Sequence, residues 1–188
     1  MEENVEDEDL SFHYVCTLDQ ARDLVRDRER FWVSECGCRL KREKCKRSRT
    51  DVCLMFREET ADFGGGKREI SRNEVESILR EAEEKHLVPR PFRNGKNMTE
   101  TDGICFCCDD CCEYFLKPDE HKCDKGDFIE STDLDACKNC GDCTDVCYFG
   151  ARKLEGGKLV LDEDACYGCG VCASVCPEEC IEMVSRGD

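Results

Sequence analysis

Between residues 133 and 180 the chain repeats itself, and four cysteines recur at identical spacing. Cys137, Cys140, Cys143 and Cys147 in CKNCGDCTDVCY return as Cys166, Cys169, Cys172 and Cys176 in CYGCGVCASVCP, each 29 residues later. The match extends past the cysteines: Asp133, Asp135, Ala136, Gly141 and Val146 recur as Asp162, Asp164, Ala165, Gly170 and Val175. Such an internal duplication predicts two similar halves related by an approximate twofold axis.

The spacing C-x2-C-x2-C-x3-C is that of chains binding two 4Fe-4S clusters, in which the fourth cysteine of each run serves the other cluster. Three thiolates on a tight loop cap three corners of a cube, and the fourth faces the neighbour. The predicted sets are therefore Cys137, Cys140, Cys143 and Cys176 for one cluster, and Cys166, Cys169, Cys172 and Cys147 for the other. Zinc is the competing reading of C-x2-C pairs, but a zinc site calls for neither the third cysteine nor the crossed fourth.

Over residues 126 to 185 the chain resembles the two-cluster bacterial-type ferredoxins. The resemblance implies a ferredoxin-like pseudo-twofold fold and single-electron transfer, and acidic surroundings with all-thiolate ligation favour a low potential. One departure is visible, since the family's proline after the fourth cysteine is present as Pro177 but replaced by Tyr148 in the first repeat. Cys180 takes the place of Ala151 and reads as a small packing residue.

Twenty cysteines in 188 residues would suggest a disulfide scaffold in a secreted protein. The acidic start MEENVEDEDL lacks a basic n-region and an apolar h-region, so a cytoplasmic location and metal-ligating cysteines are expected. No apolar run approaches the roughly 18 residues of a membrane span. So many iron-sulfur thiolates also imply an anaerobic or well-reduced setting.

The net charge of -16 is uneven: residues 100 to 188 hold 22 acidic and 8 basic side chains, or -14, leaving -2 for residues 1 to 99. An acidic cluster-bearing half suits docking onto a basic surface of a redox partner and disfavours nucleic acid.

Further cysteines lie in two groups with no standard spacing. Cys36, Cys38, Cys45 and Cys53 surround a basic loop, and Cys105, Cys107, Cys108, Cys111 and Cys112 crowd into ICFCCDDCC. Adjacent residues of an extended chain point to opposite faces, so five thiols in eight residues do not all reach one metal. A subset of the nine is expected to form one or two further centres: iron-sulfur, structural zinc, or a redox-active dithiol. The basic loop would then offset thiolate charge or simply be solvated. Cys16 and Cys123 are read as non-ligands.

Residues 30 to 115 resemble a cysteine-rich module that accompanies two-cluster ferredoxin domains in some anaerobic archaeal and bacterial iron-sulfur proteins. The likeness rests on Cys36-x-Cys38-Arg39, Cys53-Leu54, the helix ending AEEKHLV, and ICFCC. It implies redox function without a defined reaction. The CCG-type module of heterodisulfide reductases is not found, because Cys107-Cys108 and Cys111-Cys112 are followed by Asp109 and Glu113.

The overall expectation is an α+β chain. A disordered acidic tail (1–9) precedes a small α+β cysteine-rich metal-binding domain (10–117) and a dicluster ferredoxin-like domain (118–188). Thr17 predicts an N-cap, FWVSE a strand, Ser71 and Glu74 a capping box for a helix ending near His86, and Phe92 to Asp102 a loop. Phe128-Ile129-Glu130 should pair with Ile181 to Val184, a hairpin should turn at Gly156-Gly157, and short helices should begin near Gly141 and Gly170. The expected function is an electron-transfer protein or subunit. The alternatives are a small-substrate reductase at an open cluster corner or cysteine pair, and a redox or metal sensor.

Overall fold

The computed structural model describes residues 10–42, 45–120 and 122–187. The acidic tail 1–9, residues 43 and 44 of the basic loop, and His121 lie outside the described residues.

The first element is α1 (Leu18–Arg26), capped as its sequence requires. Thr17 accepts from the Gln20 backbone N–H, and the Gln20 side chain accepts from the Thr17 N–H. Ser71 and Glu74 close the same box on α3 (Arg72–Glu84), whose Val75, Ile78, Leu79 and Ala82 are buried. Each such cap is worth about 1 kcal/mol. The two helices cover a five-stranded antiparallel sheet built from β1 (Phe31–Ser34), β2 (Cys53–Met55), β3 (Arg68–Ile70), β4 (Val88–Arg93) and β5 (Thr101–Cys107). Its order is β3-β1-β2-β5-β4. A short helix, α2 (Gly37–Lys41), follows β1.

The segment Phe92 to Asp102, expected to be a loop, divides among three elements. Phe92 and Arg93 end β4, Thr101 and Asp102 begin β5, and only the turn between them is irregular. The polar turn between them accounts for the loop expectation. α3 ends at Glu84, with left-handed His86 (φ +53) just beyond it, and Pro89 and Pro91 lie within β4, which is tolerated because β4 is an edge strand. Their carbonyls accept from Cys16 (3.2 Å) and Tyr14 (3.1 Å), so the segment before α1 covers that edge.

The carboxy-terminal part follows α4 (Glu113–Leu116) and a 3-10 turn at Pro118–Glu120. It contains β6 (Phe128–Thr132) paired with β9 (Ile181–Ser185), and β7 (Arg152–Glu155) paired with β8 (Lys158–Leu161). Shifting β6 and β9 by the 29-residue repeat lays them over β8 and β7, so each half contributes one strand to each ribbon. The hairpin turns at Gly156 (φ +57) and Gly157 (φ +78), the left-handed pair that a two-residue hairpin requires. Two one-turn helices, α5 (Asp142–Asp145) and α6 (Val171–Ser174), start at left-handed Gly141 and Gly170.

The two parts are stitched together. Asp124 exchanges backbone bonds with the 13–15 segment: its N–H donates to the His13 carbonyl and its carbonyl accepts from Val15, both at 3.0 Å. Gly126 donates to the Tyr167 carbonyl, and a side chain there would meet the Val15 carbonyl at 2.6 Å.

Candidate iron-sulfur and metal centres

Two cavities sit in the duplicated part. Cys137, Cys140, Cys143 and Cys176 line one of them, with Leu154, Leu159 and Ile181. Cys147, Cys166, Cys169 and Cys172 line the other, with Val146, Ala151 and Phe149. Each therefore takes three of its motif thiols from one repeat and the fourth from the other. Backbone N–H groups point at these sulfurs: Asn139 donates to Cys137 Sγ at 3.4 Å, and Val171 donates to Cys169. Burial pushes the Cys169 thiol up to about 12. At Cys176 burial opposes ionisation, but the N–H groups of Cys180, Glu178 and Glu179 outweigh it and hold the thiol below its usual value.

Arg152 lies between the cavities and lines both. It is 3% exposed and donates to Glu130 at 2.6 Å and to Thr132 at 3.0 Å. The repeat shift carries Arg152 onto Ile181 and Glu130 onto Leu159, so an ion pair in one half replaces an apolar pair in the other. Cys180 packs in the apolar cluster there, and its Sγ is 3.4 Å from that of Cys176, in the wall of the first cavity.

A third thiol-lined cavity, about 220 Å³, lies at one end of the five-stranded sheet. Its size is several times the share of about 30 Å³ that one water takes, leaving room for a multi-atom group. Sheet register builds it. Leu54 pairs with Ile104, which sets Cys53 of β2 beside Cys105 of β5, and Cys105 in turn pairs with Arg90 of β4. Cys36 and Cys38 flank the start of α2, Cys107 ends β5, and Cys112 precedes α4.

These six thiols form a continuous chain of contacts. Cys38 is held down to about 2, chiefly by the adjacent Cys112 and then by Cys36, while Cys38 pushes Cys36 up to about 12. Cys105 pushes Cys53 up, and Cys107 pushes Cys112 up. Thiols packed in this way can all ionise only when a cation replaces their protons. His13 Nε2 lies 3.9 Å from Cys105 Sγ and also lines the cavity.

Two buried arginines face the sulfurs. Arg39 is 1% exposed and donates to the carbonyls of Arg49 (2.6 Å) and Phe106 (2.9 Å). Desolvation opposes its charge, but Cys108, Cys45 and Cys36 outweigh it and keep the guanidinium protonated. Arg90, 4% exposed, lies 3.4 Å from Cys112 Sγ and 3.7 Å from Cys107 Sγ, and it also faces Cys123. Burial raises the Cys123 thiol, and Arg90 opposes that rise. Buried charges are paired, and the anionic partners available to these two are sulfurs.

Of the nine amino-terminal cysteines, Cys45, Cys108 and Cys111 form a separate triad with Sγ separations of 3.4 to 3.6 Å.

Residues 137–180 match the family model of the 4Fe-4S dicluster domain. The match covers the cysteines of both duplicated cavities, so this stretch is an iron-sulfur domain. No curated protein matches the chain.

The iron-sulfur domain meets the third cavity through aromatic rings. Tyr114 lines that cavity, and Phe149 and Tyr167 line the Cys147/Cys166 cavity. Phe149 stacks on Tyr167 at 4.5 Å between centroids, and Tyr114 stands 6.2 Å from each. Arg90 lies over the Tyr114 ring at 4.1 Å. Tyr148, the residue standing in the proline position, packs on Phe115 at 5.7 Å and beneath Arg47 at 5.0 Å. Its departure from the ferredoxin pattern falls at the seam between the two parts.

His13, Arg90 and Arg152 lie in or beside these cavities without having been singled out by the sequence, and Arg39 is, among the described residues, the one member of the basic stretch that is buried against the thiols. Arg39 stood in the C-x-C-R motif, which gave a signal. An isolated arginine in a strand, as at Arg90 and Arg152, gives none.

Proposed function

We propose that the protein is an iron-sulfur electron carrier or electron-transfer subunit whose centres form one line. Cys137, Cys140, Cys143 and Cys176 would hold one 4Fe-4S cluster, and Cys147, Cys166, Cys169 and Cys172 the other. Clusters bound there supply single-electron uptake and release. The chain's own residues then determine how readily electrons arrive. N–H donors to sulfur and the Arg152 charge favour the reduced form, while the acidic surface disfavours it. The third cavity would hold a further iron-sulfur centre on thiols drawn from Cys36, Cys38, Cys53, Cys105, Cys107 and Cys112, with Cys108 and Cys111 also in its wall, offset by Arg39 and Arg90.

The observation that carries this reading is the crossed lining of the two carboxy-terminal cavities. Three thiols from one repeat and one from the other is an arrangement that interlocked clusters require and isolated zinc sites do not. The third centre is supported by the two guanidiniums buried against thiols. The rings of Tyr114, Phe149 and Tyr167 support a single line, because electron tunnelling falls steeply with distance and these packed rings run from the third cavity to the Cys147/Cys166 cavity. With residues 100 to 188 at -14, the partner surface would be basic.

The test is a redox titration of protein purified without oxygen, followed by low-temperature spin resonance. Two magnetically interacting low-potential centres are expected from the carboxy-terminal pair. A sample with no reducible signal, or one carrying only zinc, would refute the proposal.

A further inference from the structure

The triad of Cys45, Cys108 and Cys111 is built unlike the other sites. Cys108 and Cys111 form a Cys-x2-Cys chelate on the turn after β5, and Cys45 reaches them from 63 positions away. Their sulfurs lie 3.4, 3.4 and 3.6 Å apart, too far for a disulfide of about 2.05 Å. A tetrahedral ion with metal–sulfur bonds of about 2.3 Å sets its sulfurs about 3.8 Å apart. The triad is near that spacing. Cysteines on a cubane each bind a different iron and stand much wider.

We propose that Cys45, Cys108 and Cys111 hold a single zinc ion, with a water as its fourth ligand, distinct from any cluster in the adjoining cavity. Three thiols release three protons on binding, Zn²⁺ with three thiolates carries -1, and the buried Arg39 guanidinium, which faces Cys108 and Cys45 as well as Cys36, offsets part of that charge. Soft thiolates select zinc over the hard divalent ions. Cys108 and Cys111 also line the larger cavity, whereas Cys45 does not, so the triad adjoins that cavity and is set apart from it by Cys45.

The ion staples the basic loop to the cysteine-rich turn. The loop already leans that way, with Arg47 paired to Asp109 and the Lys46 N–H donating to Asp110 at 2.9 Å. Arg47 then covers Tyr148 of the iron-sulfur domain. A metal joining Cys45 to Cys108 therefore holds this loop against the seam, a structural role that stands whether or not electrons cross it.

The test is zinc, iron and sulfide analysis of anaerobic wild-type protein and of Cys45→Ser, with limited trypsin digestion. One zinc per chain is expected in the wild type. Cys45→Ser should lose it while keeping its sulfide, and should be nicked several-fold faster at Lys46 and Arg47. Should Cys45→Ser fail to fold, zinc-edge X-ray absorption of the wild type decides: a sulfur shell near 2.3 Å without a metal neighbour supports the site. Absence of zinc, a nearby iron scatterer, sulfide lost with Cys45→Ser, or a Cys108–Cys111 disulfide found by alkylation would overturn it.

Discussion

In the carboxy-terminal domain each cavity draws its thiols from two short loops, and the left-handed glycines at 141 and 170 set the chain's direction within each loop. In the amino-terminal part the six-thiol cavity draws on four separate stretches, which meet only because β2, β4 and β5 pair in one register. The first kind of site is written locally and survives as a pattern. The second is a product of the whole sheet, so its parts carry no common spacing. Both nevertheless place a buried guanidinium against sulfur, Arg152 in one and Arg39 with Arg90 in the other. The shared charge arrangement, rather than any shared motif, makes the two regions comparable.

The largest effects should come from removing that charge. Arg152→Met leaves Glu130 buried and unpaired, and breaking a buried pair costs about 3–5 kcal/mol. Denaturant unfolding of anaerobic protein should show that loss, and the carboxy-terminal potentials should fall with the positive charge gone. Arg39→Met should destabilise comparably and lower amino-terminal metal content. If Arg39→Met is benign while Arg152→Met is not, the amino-terminal thiols carry no charge and the comparison breaks.

Next comes the loss of single ligands. Cys140→Ser should remove about four irons, one cubane's worth, and leave the other centres in place. Cys53→Ser should loosen β2 as well as empty its cavity, because a strand residue serves both purposes. Cys176→Ser should lose less iron than Cys140→Ser, since Cys180 Sγ stands 3.4 Å away and can substitute. Equal losses for Cys140→Ser and Cys176→Ser would return Cys180 to a packing role.

Phe149→Ala should leave iron content unchanged but slow electron exchange between the halves, as read by stopped-flow reduction. Truncating a ring in this seam should also cost about 1–3 kcal/mol, below the range for a fully buried aromatic. The smallest effect is expected for Thr17→Ala, about 1 kcal/mol from the lost cap on α1, with no change in any redox signal.

The two regions were unequally legible in the sequence. The Thr17 cap, the Ser71/Glu74 box, the glycine hairpin and the glycine-started helices lie within a few residues of their partners, and the duplication aligns the eight cysteines by itself. Contacts made by strand register were not legible: nothing in Cys53 or Cys105 says that they are neighbours until Leu54 pairs with Ile104. A helix end near His86 is legible, but not that Pro89 and Pro91 just beyond it occupy an edge strand whose carbonyls serve the segment before α1. Tyr148 was visible as a departure from the pattern, yet its contacts with Arg47 and Phe115 lie across a seam that sequence order does not show.

The most direct measurement is iron and acid-labile sulfide per chain in protein purified without oxygen. A chain whose two halves form one line of redox centres should hold roughly twelve irons or more, a third cubane's worth beyond the carboxy-terminal pair. About eight irons, with the amino-terminal thiols holding only zinc or protons, would contradict that account and leave the first half as a structural and docking module.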